Sequence, residues 1–149
     1  MYTILSRLKK FFPFVGTRPA TEDDLLDYCS RGGIEVVWSD EIGRGAYVRF
    51  LGADYIFLNS HLHGWMLCYV LAHEIGHQML HIPCGGRNGV QLFDDVTRSR
   101  HHAEAEAVAA YLLLPPATLD EVWANEEFRN NDRLAKLMLC RIALGDWKE

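Results

Sequence analysis

His73-Glu74-Ile75-Gly76-His77 sets two imidazoles four residues apart with a carboxylate next to the first. The run before it, residues 65–72, is almost wholly apolar and predicts a helix. Residues four apart share one face of a helix, so both rings can reach the same metal ion. Glu74 sits beside them, where it can hold a water and shuttle its proton. This is the side-chain set of a zinc hydrolase, most often a peptidase.

Catalytic zinc takes three protein ligands and keeps one position open. His81 lies on the face of His77, but it is eight residues from His73. Eight residues span about 12 Å of helix axis, whereas zinc–nitrogen bonds are about 2.0–2.1 Å. One straight helix cannot bring all three to one ion, so His81 is expected to pack or to hydrogen-bond outside the ligand set. A second stretch, residues 101–115, offers His101, His102, Glu104 and Glu106 in an Ala/Leu-rich helix. Some of these four must face water. His102 and Glu106 share a face and Glu104 points away from both. One of His102 and Glu106 is expected to bind the metal, with the other supporting it or a histidine of the first helix.

The elements that must hold these groups follow from local signals. Thr21 followed by Glu22, Asp23 and Asp24 reads as an N-cap with acids in the first turn, where the helix dipole favours them. Gly32-Gly33 ends that helix. Strands are expected over 34–38, 46–51 and 55–58, the last two joined by a turn at 52–54. The motif helix should begin near Asn59 or Ser60 and stop before Pro83. An irregular loop covers 85–98, with Asp94 and Asp95 solvated. A helix over 98–114 is stopped by Pro115-Pro116. Another begins near Thr118, and a last one runs over 132–144 with Gly145 as its cap. Trp38, Trp65 and Tyr111 are expected in the core. The pattern is α+β: a small three-stranded sheet packed against a helical core that contains the metal-motif helix.

The chain has 149 residues, 49% hydrophobic and 23% charged, which suits one soluble domain. Residues 1–20 form a basic segment, with Arg7, Lys9, Lys10 and Arg18 and no acid. It is too short and interrupted for a membrane span. It reads as an amphipathic terminus covering the core; a membrane surface or a partner is the other use for such a segment. Residues 21–149 form the single catalytic domain. A net charge of −5 gives no reason to expect nucleic acid as a partner. Cys29, Cys68, Cys84 and Cys140 form no C-x-x-C pair, which fits a reduced, cytoplasmic setting. Cys84 follows the motif helix and is a structural residue before it is a metal ligand.

Three stretches resemble the ImmA/IrrE family of metallo-endopeptidases, small relatives of the gluzincins. They are Tyr55-Ile-Phe-Leu-Asn59, Val70-Leu-Ala-His-Glu-Ile-Gly-His-Gln-Met-Leu-His81, and Ala105-Glu-Ala-Val-Ala-Ala-Tyr-Leu-Leu-Leu-Pro115. The resemblance implies a minimal zincin-like fold, a Zn²⁺ ion held by His73 and His77, and Glu74 as the catalytic base. The family's second motif opens on a glutamate that is the third ligand, followed four residues later by an Asn or Asp that supports the site. Aligning on residues 108–115 sets His102 at that glutamate and Glu106 at the supporting position. The chain thus departs from the family pattern at a ligand position. A register shifted by two residues would instead put Glu104 there, at the cost of the Pro115 match. His102 is the preferred ligand and Glu104 the alternative. Tyr111, His61, His63 and His81 remain candidates for stabilising the oxyanion.

The family implies a protein substrate, typically a helix-turn-helix transcriptional repressor cut once. Since only residues 1–20 precede the first expected helix, no fused DNA-binding domain is expected, and the target would be a separate protein. The competing reading is a weak or inactive metal-binding module that grips a partner without cutting it. The substituted ligand position favours that reading, and the intact Glu74 opposes it.

Overall fold

The computed structural model describes residues 2–80 and 95–145. His81, Pro83, Cys84, Gly85-Gly86 and Asp94 lie outside the described residues.

The first helix, α1 (Tyr2–Phe11), begins well ahead of Thr21. Its sequence explains this: Ile4, Leu5 and Leu8 fall on one face and are buried, each at most 6% exposed. The basic side chains lie off that stripe, and Arg7 Nη1 donates to the Met79 carbonyl at 3.0 Å. The amphipathic terminus covers the core.

Helix α2 (Glu22–Arg31) starts as its sequence dictates. Thr21 and Asp24 form a reciprocal capping box, and Arg18 Nη1 clamps Asp24 Oδ2 at 2.7 Å. Strands β1 (Glu35–Ser39), β2 (Gly45–Phe50) and β3 (Ala53–Asn59) form a mixed sheet in the order β1-β3-β2. β1 runs parallel to β3, and β2 runs antiparallel to it. The β2–β3 turn is the two-residue Leu51-Gly52 rather than 52–54. Both residues have positive φ, 52° and 80°, as a tight turn matching strand twist requires. Trp38, expected in the core, is 44% exposed because β1 is a sheet edge.

The motif helix α3 (Gly64–Leu80) starts later than Asn59. Asn59 still pairs in β3, and its side chain is committed to the following turn. Its Nδ2 donates to the Ile42 carbonyl and its Oδ1 accepts from the His61 N–H, at 2.7 and 2.8 Å. α3 is apolar around most of its circumference and is buried as a central helix. Helix α4 (Asp95–Leu113) begins three residues before Arg98 and buries residues 107–113. After a 3₁₀ turn at Pro116–Thr118 come α5 (Leu119–Trp123), α6 (Glu126–Arg129) and α7 (Asp132–Leu144), with Gly145 as the cap of α7.

Two polar devices lock these elements together. Tyr28 donates to Gln78, Gln78 to Asp54, and Tyr47 and Arg49 also donate to Asp54, joining α2, α3 and the hairpin. Arg141, 1% exposed, donates to the Leu114 and Gly145 carbonyls, each at 2.7 Å. It thereby satisfies the ends of α4 and α7 from inside the core.

Candidate metal centre

α3 carries His73 and His77 on the face that meets α4 and the sheet. Their Nε2 atoms lie 3.1 Å apart. α4 brings His102 to the same point, with its ring centroid 4.5 Å from that of His73 and 6.2 Å from that of His77. One nitrogen from each of the three rings falls within 4.8 Å of the others. An ion bonded to imidazoles at 2.0–2.1 Å would hold neighbouring nitrogens about 3.4 Å apart. The donor set and its spacing therefore fit a borderline-soft divalent ion such as zinc.

Glu74 is 9% exposed. Burial pushes its carboxyl above the usual range, while the charge of His73 and a backbone hydrogen bond from Tyr47 oppose the shift. His102 is held below the ordinary imidazole value by desolvation and by His73, which keeps its nitrogen lone pair available to a cation.

Glu106 is four residues beyond His102, one turn along the same helix. Its Oε1 sits 2.8 Å from His73 Nδ1 and also accepts from the Tyr69 hydroxyl. His73 Nδ1 is buried and makes no well-aligned hydrogen bond, so Glu106 acts on it by proximity. A carboxylate this close to Nδ1 favours the ring's proton on that nitrogen and leaves Nε2 facing the other imidazoles. Burial by itself would raise the Glu106 carboxyl, but the contacts of His73 and Tyr69 outweigh it and hold it below the usual range.

Glu104 is not among the three groups that converge, as its position on α4 dictates. His61 and His63 line a separate cavity of about 380 Å³ with Trp65 and Leu134. Tyr111 is 3% exposed in the core. A smaller cleft of about 150 Å³ holds His73, Glu74 and His102 together with Arg44, Gly45, Tyr69, Val70 and Arg133. Tyr69, Arg44 and Arg133 were not singled out from the sequence. Tyr69 was within reach, because it lies one turn before His73. The arginines arrive from β2's leading end and from α7, so only tertiary packing brings them here.

An α+β core carrying a triad of converging imidazoles defines a zincin-like class of domain. The family model for the IrrE N-terminal-like domain, Peptidase_M78, matches residues 29–137, and the chain belongs to this family of metallopeptidases. No curated protein matches the chain.

Proposed function

We propose that the protein is a zinc-dependent endopeptidase with His73, His77 and His102 as metal ligands and Glu74 as general base. The reading is supported above all by three imidazole nitrogens within 4.8 Å of one another beside a buried carboxylate. When bound, zinc supplies Lewis acidity that acidifies water and polarises a carbonyl. Glu74 accepts the proton from the attacking water and returns it to the leaving amine. Its raised affinity for a proton suits the second task. Glu106 holds His73 in the ligating tautomer, and Tyr69 holds Glu106.

The substrate class follows from the family resemblance: a separate protein, such as a helix-turn-helix transcriptional repressor. The catalytic unit is residues 21–149, with the basic segment 1–20 packed ahead of it. Cys29, Cys68 and Cys140 are free thiols, which suits a cytoplasmic setting. Among the described residues no helix is long and apolar enough to cross a membrane.

The test compares zinc-loaded wild type with Glu74→Gln on the candidate repressor. Cleavage by the wild type, a loss of about 10²–10⁴-fold in the variant, and unchanged zinc content are expected. Equal behaviour of the two proteins would favour the binding module, because a module has no use for a general base.

A further inference from the structure

Arg44 and Arg133 reach the cleft of the imidazole triad from two different elements. Among the described residues, neither guanidinium takes part in a hydrogen bond or an ion pair. Four other arginines are set against acids, Arg18 with Asp24, Arg31 with Asp27, Arg49 with Asp54 and Arg129 with Glu126, and Arg7 and Arg141 donate to backbone carbonyls. Among the described residues, the two carboxylates at the metal centre have other partners. Glu106 is held by His73 and Tyr69, and Glu74 by the Tyr47 backbone. Among the described residues, two cations therefore stand at the cleft with no carboxylate paired to either guanidinium, in a chain whose net charge is −5.

Arg44 is exposed and Arg133 half-buried, whereas His73 and Glu74 are buried. The arginines thus stand at the mouth of the cleft, where the side chains of a bound peptide would lie. A guanidinium presents a planar fork of donors that matches a carboxylate in two parallel hydrogen bonds. We infer that Arg44 and Arg133 form an anion-binding pair that selects peptides with Asp or Glu next to the bond to be cut. The inference rests on the peptidase reading of the site. The overall negative charge repels acidic peptides from the rest of the surface, so the pair supplies attraction locally.

The binding arm of the test uses metal-free protein, so that a peptide carboxylate cannot simply ligate zinc. Fluorescence anisotropy compares a labelled Gly/Ala decapeptide carrying two central glutamates with the same peptide carrying glutamines. The glutamate peptide should bind about tenfold tighter or more at low salt. Arg44→Gln/Arg133→Gln should abolish the preference, and the Lys/Lys variant should keep part of it. Arg31→Gln, far along α2 and paired with Asp27, should leave it intact. Equal binding of both peptides, or a preference that survives in the double Gln variant, overturns the inference.

The cleavage arm digests a mixed peptide library with zinc-loaded wild type. Cuts enriched in Asp or Glu beside the scissile bond support the inference, and cuts without that enrichment overturn it. If nothing is cut while the binding preference is present and lost in the double variant, the peptidase reading fails but the anion pair stands.

Discussion

The Nε2 atoms of His73 and His77 face each other across 3.1 Å, and His102 joins them from a second helix. Two uncharged imidazoles at that distance share at most one proton between their lone pairs, and a third ring beside them adds a further lone pair. A cation resolves this crowding. Wild type is expected to carry about one zinc per chain by elemental analysis. His73→Ala, His77→Ala and His102→Ala should each lose it, and Glu104→Ala should keep it. Zinc retained at full stoichiometry by the His102 variant would remove that residue from the ligand set. Chelation of the wild type should also lower its melting temperature, since a ligand that binds only the folded chain stabilises it.

The Tyr69–Glu106–His73 chain should tune the metal rather than hold it. Glu106→Gln weakens the bias toward the Nδ1-protonated ring, so zinc affinity should fall about 10–100-fold with stoichiometry restored at high zinc. Tyr69→Phe should have a smaller effect in the same direction. Competition with a chromophoric chelator measures both. An unchanged affinity in Glu106→Gln would reduce that carboxylate to a packing role.

Glu74 gives a pH signature in the metal-free protein. Its folded-state carboxyl is raised by burial, so the ionised form is the one that folding disfavours. The favourable contribution of the protonated group is complete below the ordinary value of 4.5 and is lost as pH rises through the folded one. Metal-free Glu74→Gln should therefore be more stable than metal-free wild type at pH 8, with the gain shrinking toward acid pH. Denaturant unfolding across that range reads it directly, and a constant difference would show that the carboxyl is not the source.

Asp24 has the opposite sign. The Arg18 guanidinium and the Thr21 cap hold its carboxyl down at about 2, against an ordinary 3.8. Its contribution is present above pH 3.8 and is lost as the pH falls toward 2. Arg18 is half-exposed, with 48% side-chain accessibility, so water discounts the pair. Asp24→Asn should lower stability at neutral pH, with the cost shrinking as pH falls through about 2. A cost that persists at low pH would assign the effect to packing of α2 instead.

Much of this architecture was legible because its signals are local. The Thr21 cap, the Gly32-Gly33 helix end and the Pro115-Pro116 stop each act over a few residues. The motif states its own geometry, since four residues are one helical turn. The choice among His102, Glu104 and Glu106 was narrowed by the same rule, which put Glu104 on another face of α4. What stayed hidden depends on chain segments meeting in space. Nothing near Arg44 or Arg133 marks them as neighbours of His102. The basic terminus was readable as an amphipathic segment covering the core, with a membrane surface or a partner as its other use, but that it forms a helix and which residues it buries follow only from its packing. Trp38 looked like core because of its size, and the edge position of β1 left it partly exposed.

Gly76, an unspecified position of the motif, tests whether helix packing sets the metal geometry. A Cβ there would stand 3.0 Å from Ala105 Cα, 3.1 Å from Val108 Cβ and 3.2 Å from the Ala105 carbonyl oxygen. Two of these are backbone atoms of α4, which cannot rotate aside as a side-chain tip can. Gly76→Ala must therefore move α4 from α3, and α4 carries His102 three residues before Ala105. Helix propensity alone would favour the substitution, by roughly 0.8–1.0 kcal/mol for Gly to Ala. Overpacking of a rigid contact typically costs about 1–3 kcal/mol and is expected to prevail. The variant should thus lose stability and zinc affinity together, although it touches no ligand. Gly33→Ala adds strain at a positive φ of 70° with no neighbour within 4 Å, so it should lower stability while leaving zinc affinity unchanged. If Gly76→Ala melts earlier but binds zinc as the wild type does, the α3–α4 spacing is not what positions His102.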